Sequence, residues 1–165
     1  MRSVRSFLFI PSLAAGMILG AGPAHAACNI AELCSCTASA SGISFGSYDP
    51  LSAFPVDSTG TVTVDCTFAV ALGGTYTISL STGGSGSYAA RWLSLAGWNL
   101  NYNLYTTNTR STVWGNGTGS QTVTSAPLSG LFSNSQTFTV YGRIPGSQNV
   151  PAGSYNDMIT VTVTY

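Results

Sequence analysis

The chain has 165 residues and a formal net charge of zero, and 6% of its residues are charged, where about a quarter is usual for a soluble domain. With five Lys and Arg residues in all, it lacks the basic surface that nucleic acid or a polybasic membrane contact requires. Nucleic acid is therefore excluded as a partner. Ser, Thr, Asn and Gly supply the polar surface instead, which suits packing against copies of the chain or against another protein.

The first 26 residues have the features of a signal peptide. Arg2 and Arg5 form a basic start, an apolar run follows over 7–19, and Ala24-His25-Ala26 fits the cleavage rule. The apolar run is shorter than the about 20 residues that cross a membrane as a helix, which disfavours the alternative of a membrane anchor. We predict a signal peptide over 1–26 and one mature domain over 27–165, with three arginines, five acidic residues and a net charge of −2.

Beyond the signal peptide the sequence predicts strands and turns, and no long stripe with helical period. Alternating apolar and polar residues are separated by clusters of Gly, Pro, Asn and Ser. The longest predicted loops are 46–60 and 145–153. This pattern predicts an all-β antiparallel β-sandwich, with a barrel as the alternative because periodicity does not distinguish the two. The predicted strands are 37–45, 61–68, 75–81, 100–105, 121–125, 137–144 and 157–165.

The last predicted strand alternates without a break up to the C-terminus. A methionine and three threonines fall on one face. Since no residue follows this strand in the sequence, we expect its edge or an adjoining groove to await another chain. The opposite, apolar face carries Ile159, Val161, Val163 and Tyr165.

All four cysteines lie in the first part of the mature chain, at Cys28, Cys34, Cys36 and Cys66. An even number behind a signal peptide indicates disulfides, and four cysteines allow three connectivities. A Cys34–Cys36 bond would be strained, so we favour Cys36–Cys66, joining the first strand to the second, with Cys28–Cys34 closing a small loop. The alternative is a zinc site, but the spacing matches no common zinc pattern and export disfavours it.

The residues offer little for catalysis. The mature chain has no His and no Lys, which removes His-based triads and Schiff-base chemistry. A carboxylate pair is the remaining route, and we interpret each carboxylate as a solvated or turn residue. We therefore predict a non-catalytic protein without cofactor or metal. The carboxylates considered are Asp49, Asp57, Asp65 and Asp157.

Three tryptophans, Trp92, Trp98 and Trp114, lie in the middle of the chain. Core packing is the favoured interpretation, because aromatic residues dominate the cores of β-sandwiches. The alternative is a platform that stacks on sugar rings. The chain would then be a self-sufficient carbohydrate-binding or adhesive module with a surface glycan as its partner.

Several motifs together resemble the spore coat protein U domain family. Two resemble its opening, two its middle and two its closing part, and they cover nearly all of the mature chain in order. They are SGISFGSYDPL at 41–51, GTVTVDCT at 60–67, YNLY at 102–105, VWGNGT at 113–118, YGRIP at 141–145 and VPAGSYND at 150–157.

This family includes subunits of archaic chaperone–usher pili such as Csu pili. The resemblance implies an incomplete immunoglobulin-like sandwich that lacks its last strand. It implies that a periplasmic chaperone lends a strand and that, at an outer-membrane usher, the N-terminal extension of a neighbouring pilus subunit replaces it. The protein would be exported to the surface of a Gram-negative cell as part of a pilus or fimbria that supports adhesion or biofilm formation. A third interpretation, a coat protein, follows from the family name alone.

The resemblance also implies a disulfide between the positions that match Cys36 and Cys66. From the alternation we predict that the apolar face of 157–165 lines one wall of the donor-strand groove, facing Ile43 and Phe45. The donor side departs from the family pattern, because 27–35 contains Glu32 and two cysteines in place of alternating apolar residues. We therefore expect the chain to accept a strand rather than to give one, as a cap or an end of a fibre.

Overall fold

The computed structural model describes residues 3–11, 24–27, 34–68, 75–118, 124–127 and 132–164. Apart from one 3-10 turn at Gly83–Ser85, the regular structure in these ranges is β. No helix among the described residues is long and apolar enough to cross a membrane. The strands are β1 (Ser3–Pro11), β2 (Ala24–Ala27), β3 (Cys34–Ala40), β4 (Val56–Phe68), β5 (Thr75–Leu80), β6 (Arg91–Leu95), β7 (Trp98–Tyr105), β8 (Thr124–Pro127), β9 (Ser133–Ile144) and β10 (Asn156–Thr164).

The described strands pair antiparallel throughout and form an incomplete immunoglobulin-like β-sandwich. One sheet has the order β2-β3-β4-β9-β7, and the other contains β1, β10, β5 and β8 together with β6. Strand β7 belongs to both, because its end pairs with β9 while its start forms a hairpin with β6. The hairpin turns at Ala96 and Gly97, which both have a positive φ. A two-residue turn needs this conformation to match the twist of the two strands.

The core lies between the two sheets and is built from alternate residues of each strand. In β5 the burial pattern alternates strictly, so that Tyr76, Ile78 and Leu80 are buried. The same period appears in β4 at Val62 and Val64. Because each fully buried aliphatic side chain contributes about 1.5–3 kcal/mol, this alternation fixes which face of each strand points inward.

The sequence missed β6 and placed the start of β4 too late. The sequence pattern does not indicate β6, because one of its inward positions carries the charged Arg91 and leaves Leu93 as the only apolar one. The predicted loop 46–60 in fact ends at Pro55, since β4 begins at Val56 and pairs with β9 from there. Polar residues with turn preference at 57–60 concealed this first part of β4.

The first predicted strand, 37–45, is only half correct. Strand β3 ends at Ala40, and residues 41–45 continue without ladder pairing, although Ile43 and Phe45 stay buried. Two glycines make room for them. A Cβ on Gly60 would lie 2.7 Å from Cγ1 of Ile43, and a Cβ on Gly142 would lie 2.7 Å from Cζ of Phe45. The segment therefore packs directly on the backbone of β4 and β9.

Candidate strand-acceptor site

Strand β10 has two edges with different partners. On one edge Val161–Thr164 pair with β5, and Asn156 pairs with Ser94 of β6. On the other edge all nine residues of β1 pair with β10, from Ser3 opposite Thr164 to Pro11 opposite Asn156. Strand β1 also runs close to β3. The segment from residue 34 onward therefore supplies no described partner to this second edge of β10, where β1 is seated.

The inward residues of β10 belong to the continuous core. Ile159, Val161 and Val163 have no exposed surface, and Ile43 and Phe45 are part of the same buried cluster. Whether these residues together form the two walls of a donor-strand groove stays a prediction. The sixth predicted groove residue, Tyr165, lies outside the described residues.

The start of β10 is held by a buried carboxylate. Asp157 is 8% exposed, and its Oδ2 accepts a 2.7 Å hydrogen bond from the hydroxyl of Tyr102. Its Oδ1 accepts 2.8 Å hydrogen bonds from the backbone N–H groups of Gly84 and Met158. The expectation of a solvated Asp157 is wrong. The alternation does indicate its burial, because Asp157 lies two residues before the buried Ile159 and so falls on the same face of the strand.

The turn at Gly83 and Gly84 is shaped to receive this carboxylate. Gly83 has a φ of +65°, and a Cβ built on it would lie 2.0 Å from Oδ2 of Asp157. Burial, followed by the neighbouring charge of Asp157, raises the pKa of Tyr102 well above its usual value. Tyr102 therefore stays a hydrogen-bond donor at neutral pH, and Asp157 is its acceptor.

A fully buried arginine lies beside this carboxylate. The Arg91 guanidinium donates to the backbone oxygen of Ser81 at 3.0 and 2.8 Å, to that of Trp114 at 2.7 Å and to Oδ1 of Asn103 at 2.7 Å. It also lies over the ring of Tyr88, 5.2 Å from the centroid. Burial lowers the pKa of Arg91 from its usual value. Sequence reasoning missed this residue, and its inward position two residues before Leu93 was the available signal.

Ser81 connects Arg91 to β10. Its backbone N–H donates to the carbonyl of Thr160 at 2.9 Å, and its Oγ accepts from the N–H of Thr160 at 2.9 Å. The polar network of Arg91, Ser81 and Asp157 therefore fixes one edge of β10 to the body of the domain. Its other edge has only the N-terminal strand as a described ladder partner.

Strand β3 is fixed by a disulfide. Cys36 and Cys66 face each other across β3 and β4, are both buried and are bonded through their Sγ atoms, which is the pair that the sequence favoured. Cys28 lies outside the described residues, as does the side chain of Cys34, so the second predicted pair stays a prediction. The disulfide fixes β3 to β4, and β3 lies near β1.

The other described carboxylates have structural partners. The guanidinium of Arg143 donates two hydrogen bonds, of 2.7 and 2.8 Å, to the carboxylate of Asp57. Nε of Arg110 lies 3.2 Å from Oδ1 of the same carboxylate. The hydrogen bond from Arg143 holds the pKa of Asp57 below its usual value. Asp49 accepts from the N–H of Leu51 at 2.9 Å within a turn, as its position before proline predicted. Among the described residues, no group of three His, Cys, Asp or Glu could hold a metal ion.

The tryptophans divide between core and surface. Trp114 is buried and donates its indole N–H to the carbonyl of Ile78 at 2.9 Å, as the core interpretation predicts. Trp92 is half-buried, and Trp98 at the β6–β7 hairpin is 54% exposed. Leu51 and Phe54 are also exposed, in the loop before β4. A shallow cavity of about 250 Å³ lies between this loop and residues 150–155.

The fold and this arrangement define an all-β, incomplete immunoglobulin-like sandwich in which a disulfide joins β3 to β4. The comparisons with known proteins agree. Residues 24–162 match the Spore Coat Protein U domain. Protein U of Myxococcus xanthus is 36% identical over 176 residues, which cover 92% of this chain and 93% of that protein. This chain belongs to the spore coat protein U domain family.

A solved structure shares the fold. It is the CsuC–CsuE chaperone–tip adhesion subunit pre-assembly complex from the archaic chaperone–usher Csu pili of Acinetobacter baumannii. The superposition has a TM-score of 0.52 at 24% identity and covers 81% of this chain. This chain spans 40% of the length of the matched chain.

Proposed function

We propose that this protein is a non-catalytic structural subunit of a surface pilus or fimbria that is assembled by donor-strand complementation. The observation that carries the proposal is the second edge of β10, which pairs over nine residues with a strand from a distant part of the chain. Without β1, which belongs to the predicted signal peptide, an edge of this length would present a row of backbone donors and acceptors to any extended peptide. The likeness in fold to a chain of a chaperone–tip adhesion subunit complex supports the proposal.

The proposed sequence of partners follows from that edge. Residues 1–26 act as a signal peptide and are removed during export through the periplasm of a Gram-negative cell. A periplasmic chaperone then lends a strand to β10, and a neighbouring subunit replaces it at the outer-membrane usher. Ile159, Val161, Val163 and Tyr165 supply one wall of the groove, with Ile43 and Phe45 facing them, and alternate side chains of the donor fill the space between.

The proposed position is at a cap or an end of the fibre, where the subunit supports adhesion or biofilm formation. Residues 27–35 offer a short segment with Glu32 and two cysteines, and a Cys28–Cys34 bond would prevent its full extension. A subunit with such a segment accepts a strand without giving one. The second proposed disulfide therefore bears on fibre position, and a non-reducing peptide map tests it directly.

Co-purification tests the proposal. The full-length chain, secreted together with its genomically neighbouring chaperone, should purify as an equimolar complex. A variant that carries an alternating apolar strand after Tyr165, joined by an Asn-Gly turn, should fill its own groove. The chaperone should then no longer co-purify with it. The matched control carries the same extension with its apolar residues changed to Ser and should keep it. If the variant with the apolar extension co-purifies with as much chaperone as the control, the proposal is contradicted.

The exposed aromatic and apolar side chains favour a second candidate, a self-sufficient carbohydrate-binding or adhesive module. Trp98 is 54% exposed at the hairpin tip, and the half-buried Tyr48 lines the shallow cavity. Aromatic faces of this kind stack on sugar rings or on apolar surfaces. This candidate would be supported if the protein binds a glycan array, Trp98→Ala removes that binding and Phe132→Ala leaves it intact. Absence of binding on a broad glycan array would refute it.

A further inference from the structure

Two of the three arginines in residues 27–165 meet on the outer face of one sheet. The third, Arg91, has no exposed surface, and this part of the chain contains no lysine. Arg110 and Arg143 are therefore the basic side chains of 27–165 that reach the solvent, and both lie against the carboxylate of Asp57. Two positive charges against one negative charge leave a cationic patch on a domain that is acidic overall.

The strands position these side chains. Arg143 of β9 stands directly opposite Asp57 of β4, and residues directly opposite each other in an antiparallel pair share a face of the sheet. Arg110 comes from the loop after β7 and reaches the same carboxylate, with its guanidinium carbon 5.9 Å from the centre of the Tyr141 ring. Its φ of +54° lies in the left-handed region, which a residue with a side chain enters at a cost. The fold holds Arg110 over the sheet despite this cost.

The two guanidinium groups keep donors that nothing in the domain uses. Arg143 donates from Nε and Nη2 to Asp57, and Arg110 donates from Nε to the carbonyl of Gly142 and from Nη1 to that of Asn108. Among the described residues, Nη1 of Arg143 and Nη2 of Arg110 find no hydrogen-bond acceptor. Charge-assisted hydrogen bonds from arginine to carboxylate are the strong ones, so these donors suit a second carboxylate from outside the chain.

Tyrosine rings and hydroxyl groups lie on the same face of the sheet. Tyr141 of β9 stands between Thr59 of β4 and Tyr105 of β7. One pair further along, Thr61 stands opposite Thr139. Aromatic rings pack on the apolar faces of sugars, and hydroxyl groups both donate and accept hydrogen bonds. The patch therefore offers a cation, flat apolar surface and hydroxyl groups side by side.

The backbone under this patch is closed to strand addition. At Tyr141 and Arg143, β9 pairs with β4 on one edge and with β7 on the other. An extended peptide gains its affinity in strand addition from an unpaired edge, which this position does not offer. A ligand here must be recognised by side chains, through a negative group, a flat apolar face and hydroxyl groups. A sugar acid has all three.

We propose that Arg110, Arg143 and Tyr141 form a binding site for a uronate residue of an acidic polysaccharide. The uronate carboxylate accepts from the unused guanidinium donors, the sugar ring packs on the tyrosine side chains, and the threonine hydroxyls meet the sugar hydroxyls. The inference goes beyond the proposed function, because the site lies in the sheet that does not contain β10 and does not involve Trp98.

Fluorescence anisotropy with a labelled tetragalacturonate tests the ligand class on the oxidised full-length chain. We expect the wild type to bind at low ionic strength and to bind more weakly as salt is added. The methyl ester of the same oligosaccharide has lost its carboxylate charges and should bind at least about tenfold more weakly. Absence of tetragalacturonate binding, or equal affinity for the methyl ester, would overturn the proposal.

Two arginine variants test the site. Arg110→Gln and Arg143→Gln should each weaken tetragalacturonate binding by about tenfold or more, because each removes a guanidinium. Arg2 and Arg5 are present in every variant, so their charges cancel in the comparison. Affinity equal to that of the wild type in both variants would contradict the proposal.

A pair of aspartate variants tests the charge balance and does not depend on a loss of binding. Asp57→Asn should tighten binding by about threefold or more, because it removes the carboxylate that competes for the same guanidinium groups. The matched control Asp65→Asn changes the net charge equally on the same face of β4 and should leave the affinity unchanged. Tighter binding cannot come from a damaged domain, so this pair decides if the arginine variants fold poorly. Equal affinities in the two aspartate variants would contradict the proposal.

An acidic peptide is the alternative ligand. Labelled tetraglutamate carries carboxylates without sugar rings and should bind at least about tenfold more weakly than tetragalacturonate. Equal affinity for the two would assign the patch to an acidic protein segment and overturn the sugar assignment. Arg143→Gln should leave chaperone co-purification unchanged, so the uronate site and the proposed pilus function are tested separately.

Discussion

Tyr102 of β7 donates a 2.7 Å hydrogen bond to Asp157, the second residue of β10, inside the sandwich. This contact joins β7 to β10, and the edge of β10 that pairs with β1 is the proposed acceptor of a donor strand. It holds the start of β10 against the body of the domain.

Tyr102→Phe should lower the free energy of unfolding by about 1.5–3 kcal/mol, because a hydrogen bond to a charged acceptor is lost while the ring is kept. The measurement is urea denaturation of the oxidised full-length chain. A double-mutant cycle with Asp157→Asn isolates the pair, and the two changes should be non-additive. Strict additivity would show that the contact contributes nothing of its own.

Stability should fall in alkali. Burial raises the pKa of Tyr76 to about 12, and burial first, then Asp157, raises the pKa of Tyr102. A phenol with a raised folded-state pKa stabilises the fold fully below its unfolded pKa of about 10, and this stabilisation is lost as pH rises through the folded value. The urea midpoint should therefore decline from about pH 10 upward. Tyr102→Phe should flatten this decline, and an identical slope in the variant would contradict the assignment.

The fold class could be predicted from sequence because its signals are local. Alternation in β5 and β10 and turn residues between strands require only neighbouring residues, and these two strands lie within a residue or two of the predicted ranges. The Cys36–Cys66 pair was favoured for a similar reason, since it joins two predicted strands.

The polar interior could not be predicted in the same way. Arg91 and Asp157 lie inward although charged, and their partners come from separate parts of the chain, including the turn at Gly84. Burial of a charge is tolerated only where several distant donors or acceptors converge, which is a property of the fold and not of a sequence window. The pairing of β1 with β10 could not be predicted for a different reason, because the basic and apolar pattern of residues 1–26 predicts a signal peptide rather than a strand.

Stability should also fall in acid through Asp57. The hydrogen bond from Arg143 lowers the pKa of Asp57, so its contribution is present above the unfolded pKa of about 3.9 and is lost as pH falls through the folded value. The effect should be small, because both side chains are partly exposed and solvent screens the pair. Comparing acid unfolding of the wild type and Asp57→Asn checks this, and added salt should narrow the difference.

Removing the disulfide should weaken the domain without changing its topology. The Cys36–Cys66 bond closes a loop with a sequence separation of 30. Cys36→Ala together with Cys66→Ala should lower the free energy of unfolding by about 3–4 kcal/mol on the chain-entropy model. Guanidinium denaturation of the oxidised chain and the double variant provides the measurement. A loss well under about 1 kcal/mol would mean that the unfolded chain is already constrained in this region.

Gly142→Ala tests the close packing of 41–45 on the sheet. The added Cβ would lie 2.7 Å from Cζ and 3.0 Å from Cε1 of Phe45, so the buried ring must move. We expect a loss of about 1–3 kcal/mol in the free energy of unfolding, the usual range for overpacking a core. The control is Gly84→Ala, where the nearest atom is Oδ1 of Asp157 at 3.5 Å, an ordinary contact. Urea denaturation should separate the two variants, and equally small losses in both would show that Phe45 moves aside without cost. Because Phe45 is one of the residues proposed to face β10, a displaced ring should also weaken chaperone co-purification, whereas Gly84→Ala should leave it unchanged.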